Sequence, residues 1–125
     1  MFYTHIAVSV NNIDESQAFY ETVLDMKFIS RQVIKGIVIV HLEDEKHNGI
    51  ELFKHENPLK LEDNLMNFQK VGIKHIAFFV ENLDEKVAKA LLYGSSIIRP
   101  DKDNKRMIFI SDPNGIPIEL IELKK

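Results

Sequence analysis

Cysteine is missing altogether from this 125-residue chain, which excludes a disulfide framework and any thiolate site for metal or nucleophilic chemistry. A reducing compartment is compatible with that absence. An excess of one charge is lacking too: 16 basic and 19 acidic residues, scattered in sequence, leave a formal net charge of -3. Such a balance gives no electrostatic footprint for nucleic acid. No apolar run approaches the roughly eighteen residues of a membrane helix, and "MFYTHIAV" has no basic leader ahead of an apolar core. The expectation is a cytoplasmic protein without nucleic-acid or membrane partners. The length suits one domain, 1–125, with room for a hydrophobic core but not for two independent ones.

What is present is duplication. "HIAVSVNNIDES", beginning at His5, returns as "HIAFFVENLDEK" at His75, with His, Ile, Ala, the second Val, an Asn, Asp and Glu in register. Self-similarity of that density sets the architecture. In the first half "YTHIAVSV" reads as a strand. Asp14 is placed to cap the following helix, with Gln17 in capping-box position. Phe19, Tyr20, Val23 and Leu24 share one helix face and should cover a sheet. "KFISRQV", "GIVIVHLE" and "NGIELFKH" read as three further strands. The second half repeats the order, with Gly94 as helix stop and "DPNG" as a turn. Two βαβββ modules, 1–57 and 72–125, are thus joined by a linker, 58–71, where Leu61, Leu65 and Phe68 suggest a short amphipathic helix. An α+β fold is expected, the modules forming a curved eight-stranded sheet around a central cavity. A ferredoxin-like or sandwich assembly is the competing arrangement.

Strand alternation puts His5 on a face with Ala7 and Ser9, while Ile6, Val8 and Val10 turn toward the helix. His75 repeats this with Ala77 and Phe79. In the closing strand of each module a glutamate sits among apolar neighbours: Glu51 between Ile50 and Leu52, Glu119 between Ile118 and Leu120. A carboxylate there is costly unless solvated, paired or metal-bound. One His and one Glu per module point to a four-ligand metal site, His5, Glu51, His75 and Glu119, with open positions for a Lewis-acid catalyst. Taken singly, each of the four also reads as an ordinary strand residue.

The remaining signals are weaker. By parity His41 joins Ile39 and Ile37, and reads equally as a cavity-lining or a surface imidazole. His47 and His55 lie in polar surroundings. Lys102, Lys105 and Arg106 form a basic cluster that could attract an anionic substrate, although a solvated loop is the commoner reason for such a run. Tyr20 and Tyr93 read as packing residues. Phe78, Phe79 and Phe109 suit a cavity wall or a plain core.

With "HIAVSVNNIDESQAFYETVLDMKF", "IELF", "KHIAFFVENLD" and "FISDPNGIPIELIEL" in view, the chain from Tyr3 to Leu123 resembles the vicinal oxygen chelate superfamily of glyoxalases, bleomycin-resistance proteins and extradiol dioxygenases. It is most similar to lactoylglutathione lyase, glyoxalase I, whose metal ligands match His5, Glu51, His75 and Glu119. The resemblance implies an isomerase or lyase using nickel, zinc or cobalt, with manganese or iron as further candidates. It would act on a small α-oxo carbonyl compound or its thiol hemithioacetal through an enediolate. Glu119, or alternatively Glu51, would be the catalytic base, and homodimers would be expected. Ser9 and His55 replace the Arg and Asn that usually accompany glutathione in that enzyme, so the resemblance does not extend to glutathione. An epimerase like that for methylmalonyl-CoA, an iron-dependent extradiol dioxygenase, and a non-catalytic antibiotic- or metabolite-binding protein are the alternatives it leaves.

Overall fold

The computed structural model describes residues 1–124. The chain divides into two compact units, Met1–Lys60 and Leu61–Lys125. The first runs β1 (His5–Ser9), α1 (Ile13–Thr22), β2 (Lys27–Ile34), β3 (Ile37–Glu43), β4 (Gly49–Lys54). Its sheet has the order β1-β4-β3-β2, with β1 parallel to β4 and the other pairs antiparallel. The second runs β5 (Ile76–Val80), α2 (Leu83–Leu92), β6 (Ile97–Arg99), β7 (Met107–Ser111), β8 (Pro117–Glu122), in the order β5-β8-β7-β6. Two βαβββ modules are present, as the repeat implied, each with its own four-stranded sheet. No helix among the described residues is long and apolar enough to cross a membrane.

Each sheet buries one face under its helix. In unit 1 Phe19, Tyr20, Val23 and Leu24 of the α1 region are buried together with Val8, Val40, Leu42, Ile50 and Leu52 from the strands. Each such side chain contributes roughly 1.5–3 kcal/mol on burial. Unit 2 buries Val80, Leu83, Ala90, Ile108, Ile110, Ile118 and Leu120 in the same manner. This burial fixes the register of every strand, because a one-residue slip would turn the apolar set outward. The alternate residues, including His5, Glu51 and Glu119, are therefore forced onto the opposite face.

Local chemistry sets the element ends, and here two expectations are corrected. The α1 cap is Asn12, whose side chain accepts the Glu15 N–H at 2.9 Å; Asp14 lies inside the first turn. The Asn-Ile-Asp-Glu spacing meets the cap requirement one residue pair earlier than Asp14 does. Leu61, Leu65 and Phe68 form no helix. Asn64 and Asn67 instead accept the N–H groups of Met66 and Gln69 with their side chains, a local competition that breaks helical hydrogen bonding. Phe68 lies under the Arg99 guanidinium, 5.4 Å from its ring centroid.

Other signals behave as expected. Gly94 has φ 89° and lets Ser95 N–H return to the Ala90 carbonyl, closing α2. The β2–β3 hairpin turns through Lys35 and Gly36, both at positive φ. In "DPNG" the buried Asp112 carboxylate accepts the N–H groups of Asn114 and Ile116 at 2.8 and 2.9 Å.

Candidate metal centre

In unit 1, β1 and β4 run parallel with Ala7 opposite Glu51 and His5 opposite Gly49. His5 Nε2 then lies 3.4 Å from Glu51 Oε1. Its other nitrogen, Nδ1, is 2.7 Å from the Thr4 hydroxyl, a contact that holds the ring orientation. On the other flank of β4, antiparallel pairing sets His41 opposite Glu51. His41 Nδ1 is 3.2 Å from Glu51 Oε2, and this buried nitrogen has no hydrogen-bond partner. The His5 and His41 rings meet edge to face at 5.8 Å. His5, His41 and Glu51 each present a donor atom, all within 4.8 Å of one another.

Unit 2 holds the corresponding pair. His75 Nε2 is 3.4 Å from Glu119 Oε1, and His75 Nδ1 is likewise buried without a hydrogen-bond partner. Phe109, opposite Glu119 on β7, meets the His75 ring edge to face at 5.0 Å. The sequence-derived residues are therefore brought together as two pairs, His5 with Glu51 and His75 with Glu119.

The donor set suits a divalent cation. Neutral imidazoles and carboxylates are the usual ligands of zinc, nickel and cobalt. Two ligands each about 2.0–2.1 Å from one tetrahedral cation stand about 3.3 Å apart, which matches the 3.2 and 3.4 Å separations in unit 1 and the 3.4 Å separation in unit 2. The part-buried Glu51 carboxylate facing His41 Nδ1, a nitrogen that lacks a hydrogen-bond partner, is a poor resting arrangement without a positive charge. A His–His–Glu cluster with the character of a divalent-metal site is thus present in unit 1.

His41 was underweighted by strand parity alone; the signal that identifies it is the hairpin register with β4. Glu43, two residues on, was missed. Its Oε2 lies 2.8 Å from His41 Nε2 and its Oε1 3.0 Å from His47 Nδ1. Hydrogen bonds from His41 and then His47 hold the Glu43 carboxyl below its ordinary value, with burial opposing. His47 is largely exposed, and His55 is exposed, its Nδ1 accepting the Asn57 N–H. Neither belongs to the His5–His41–Glu51 cluster.

The basic run is also redistributed. Arg106 donates from Nε and Nη2 to the two oxygens of Glu122 at 3.0 and 2.9 Å, and Glu122 Oε2 accepts the Leu83 N–H at the start of α2. Arg106 therefore braces unit 2. Lys102 and Lys105, with Arg99, remain beside a cavity of about 620 Å³ whose lining includes Met107 and Phe109. Phe109 links this cavity to the His75–Glu119 pair.

Comparison with known proteins agrees with the fold. Residues 3–120 match the model of the Glyoxalase/Bleomycin resistance protein/Dioxygenase superfamily. The uncharacterized protein YaeR of Escherichia coli is 32% identical over 124 residues, covering 94% of this chain and 93% of that protein. A glyoxalase family protein from Bacillus cereus has the same fold, with a TM-score of 0.82 at 20% identity over 98% of this chain and 94% of that one. The trypanothione-dependent glyoxalase I of Leishmania major gives 0.79 at 25% identity, covering 98% of this chain and 86% of that one.

Proposed function

The chain belongs to the glyoxalase, bleomycin-resistance and dioxygenase superfamily, and from that membership and the paired His–Glu geometry we propose that it is a divalent-metal-dependent isomerase or lyase of the glyoxalase I type. Its substrate would be a small α-oxo carbonyl compound or a thiol hemithioacetal. The likeness to a trypanothione-dependent enzyme supports the thiol-adduct class, while Ser9 and His55 argue against glutathione itself. In this reading His5, Glu51, His75 and Glu119 are metal ligands, and 1–125 acts as one functional domain. The observation that carries the proposal is the same 3.4 Å Nε2–Oε1 pair in both units.

When bound, nickel, zinc or cobalt would act as a Lewis acid, stabilising the negative charge that develops on substrate oxygens as a neighbouring C–H loses its proton. The chain's own groups divide the rest. His5 and His75 hold position, the first through Thr4. Glu119, the less exposed of the two carboxylates at 13% against 20% for Glu51, takes the proton from carbon and returns it to the adjacent carbon. A carboxylate of ordinary basicity suffices only because the Lewis acid lowers the substrate's pKa. Phe109 excludes water at one side of the pair, and Arg99, Lys102 and Lys105 favour a substrate with an anionic arm.

The edge strand β2 exposes Phe28, Ile29, Val33 and Ile34, an apolar border suited to a second copy of the chain. Together with the family resemblance it supports a homodimer, and the lack of cysteine fits the cytoplasm.

The test is proton exchange. Nickel-, cobalt- or zinc-loaded protein, incubated in deuterated buffer with hemithioacetals of several thiols, is expected to incorporate deuterium into the product, and Glu119→Gln to slow this by about 10²–10⁴-fold. Stoichiometric capture without exchange would assign a binding protein. Oxygen consumption with ferrous ion and a catechol would assign a dioxygenase.

A further inference from the structure

The two units differ in one layer. His41 stands opposite Glu51, but Phe109 stands opposite Glu119; Glu43 stands opposite Gly49, but Ser111 stands opposite Pro117. An imidazole, a carboxylate and a glycine are together in unit 1 and together absent from unit 2. Gly49 is what lets the imidazole in. A Cβ built there would sit 2.7 Å from His41 Cε1 and 2.9 Å from His5 Cβ.

The hydrogen-bond pattern gives this group a direction. The Glu43 carboxylate accepts from His41 Nε2 at 2.8 Å, which in the neutral ring puts the proton on Nε2 and a lone pair on Nδ1. That lone pair is buried, has no hydrogen-bond partner and faces Glu51 Oε2 at 3.2 Å. Two electron-rich atoms at that distance repel each other unless a cation lies between them. A carboxylate behind the distal nitrogen of an imidazole is also the usual support of a metal-bound histidine.

We propose that His41 is a metal ligand through Nδ1, oriented by Glu43, so that unit 1 by itself offers an imidazole–imidazole–carboxylate set. This rests on the metal reading of His5 and Glu51 and adds a second imidazole to that pair. The extra nitrogen biases the site toward nickel, cobalt or zinc and away from manganese or magnesium, which prefer oxygen ligands.

The full chain, stripped of metal and titrated with zinc against a chromophoric chelator, tests the proposal, with the imidazole count read from zinc-edge X-ray absorption. His41→Phe, which installs the residue found at the matching place in unit 2, is expected to lose roughly 100-fold or more in zinc affinity and one imidazole from the spectrum. Glu43→Gln is expected to lose about 10–100-fold with the imidazole count unchanged. His41→Gln, closer in polarity, carries the same expectation should the phenylalanine variant misfold, and far-ultraviolet circular dichroism checks the fold of each. If wild-type protein binds zinc and the His41 variants keep its affinity and imidazole count, the ligand role is wrong while the proposed function stands. If wild-type protein binds no divalent metal, both fall.

Discussion

Gly49→Ala is the smallest change that addresses the site through packing alone. Gly49 is not among the residues at positive φ, so its backbone admits alanine, and the lost glycine entropy would by itself favour the variant by roughly 0.5–1 kcal/mol. The added methyl, however, meets His41 Cε1 at 2.7 Å, the Thr4 carbonyl oxygen at 2.8 Å and His5 Cβ at 2.9 Å, where ordinary contact begins near 3.4 Å. Two of those three belong to the chain just entering β1, which is hydrogen-bonded to Gly49 N–H through the Thr4 carbonyl at 2.8 Å and cannot swing aside. Overpacking of this kind costs about 1–3 kcal/mol, so collision outweighs entropy and the apo variant should be less stable by about 1–2 kcal/mol. Relieving the contacts at 2.7 and 2.9 Å out to about 3.4 Å pushes His5 and His41 apart and should weaken zinc binding by about tenfold or more. Urea unfolding of apo protein gives the first number, and chelator competition the second. A variant at least as stable as wild type, with wild-type zinc affinity, would refute the close packing of His5, His41 and β4 on which the site is built.

Further consequences are independent of the metal. Asp112 is buried and accepts two backbone N–H groups in the β7–β8 turn, so Asp112→Ala should cost about 1–3 kcal/mol in urea unfolding; a neutral result would mean the turn is held by other contacts. Asp44 is opposed by burial, yet hydrogen bonds from Asn48 and Lys46 hold its carboxyl below the ordinary 3.8. Its folded form thus binds a proton less readily than the unfolded chain, and the stability it contributes is complete above pH 3.8 and lost as pH falls through the lower folded value. Asp44→Asn should flatten the acid limb of the stability profile there, and an unchanged limb would count against the Asp44–Asn48 network.

The sequence made the duplicated framework visible because two kinds of period reinforced each other: alternation in strands such as "GIELF" and helical spacing in Phe19, Tyr20 and Val23, each repeated once. It also placed one His and one Glu per module on the face away from the helix. His41 was harder to place, since its meaning depends on which residue it opposes across the β3–β4 hairpin. That register is set by the Asp44–Asn48 loop, whose side-chain hydrogen bonds are not a period. Glu43 could not be singled out for the same reason, its role being defined by His41. Arg106 read as part of a basic run because sequence neighbours suggest a patch, whereas its partners Glu122 and Asp84 are remote in the chain. Asn64 and Asn67 turned an apparent amphipathic helix into successive turns, because apolar spacing alone does not register side chains that capture backbone N–H groups.

The central proposal is that the His–Glu pair of each unit binds divalent metal. Native mass spectrometry of the zinc-loaded chain, with wild-type, His5→Ala and His75→Ala proteins compared at equal free zinc, counts ions directly. Occupancy falling in both variants is the expected result. A His75→Ala protein loaded like wild type would contradict it.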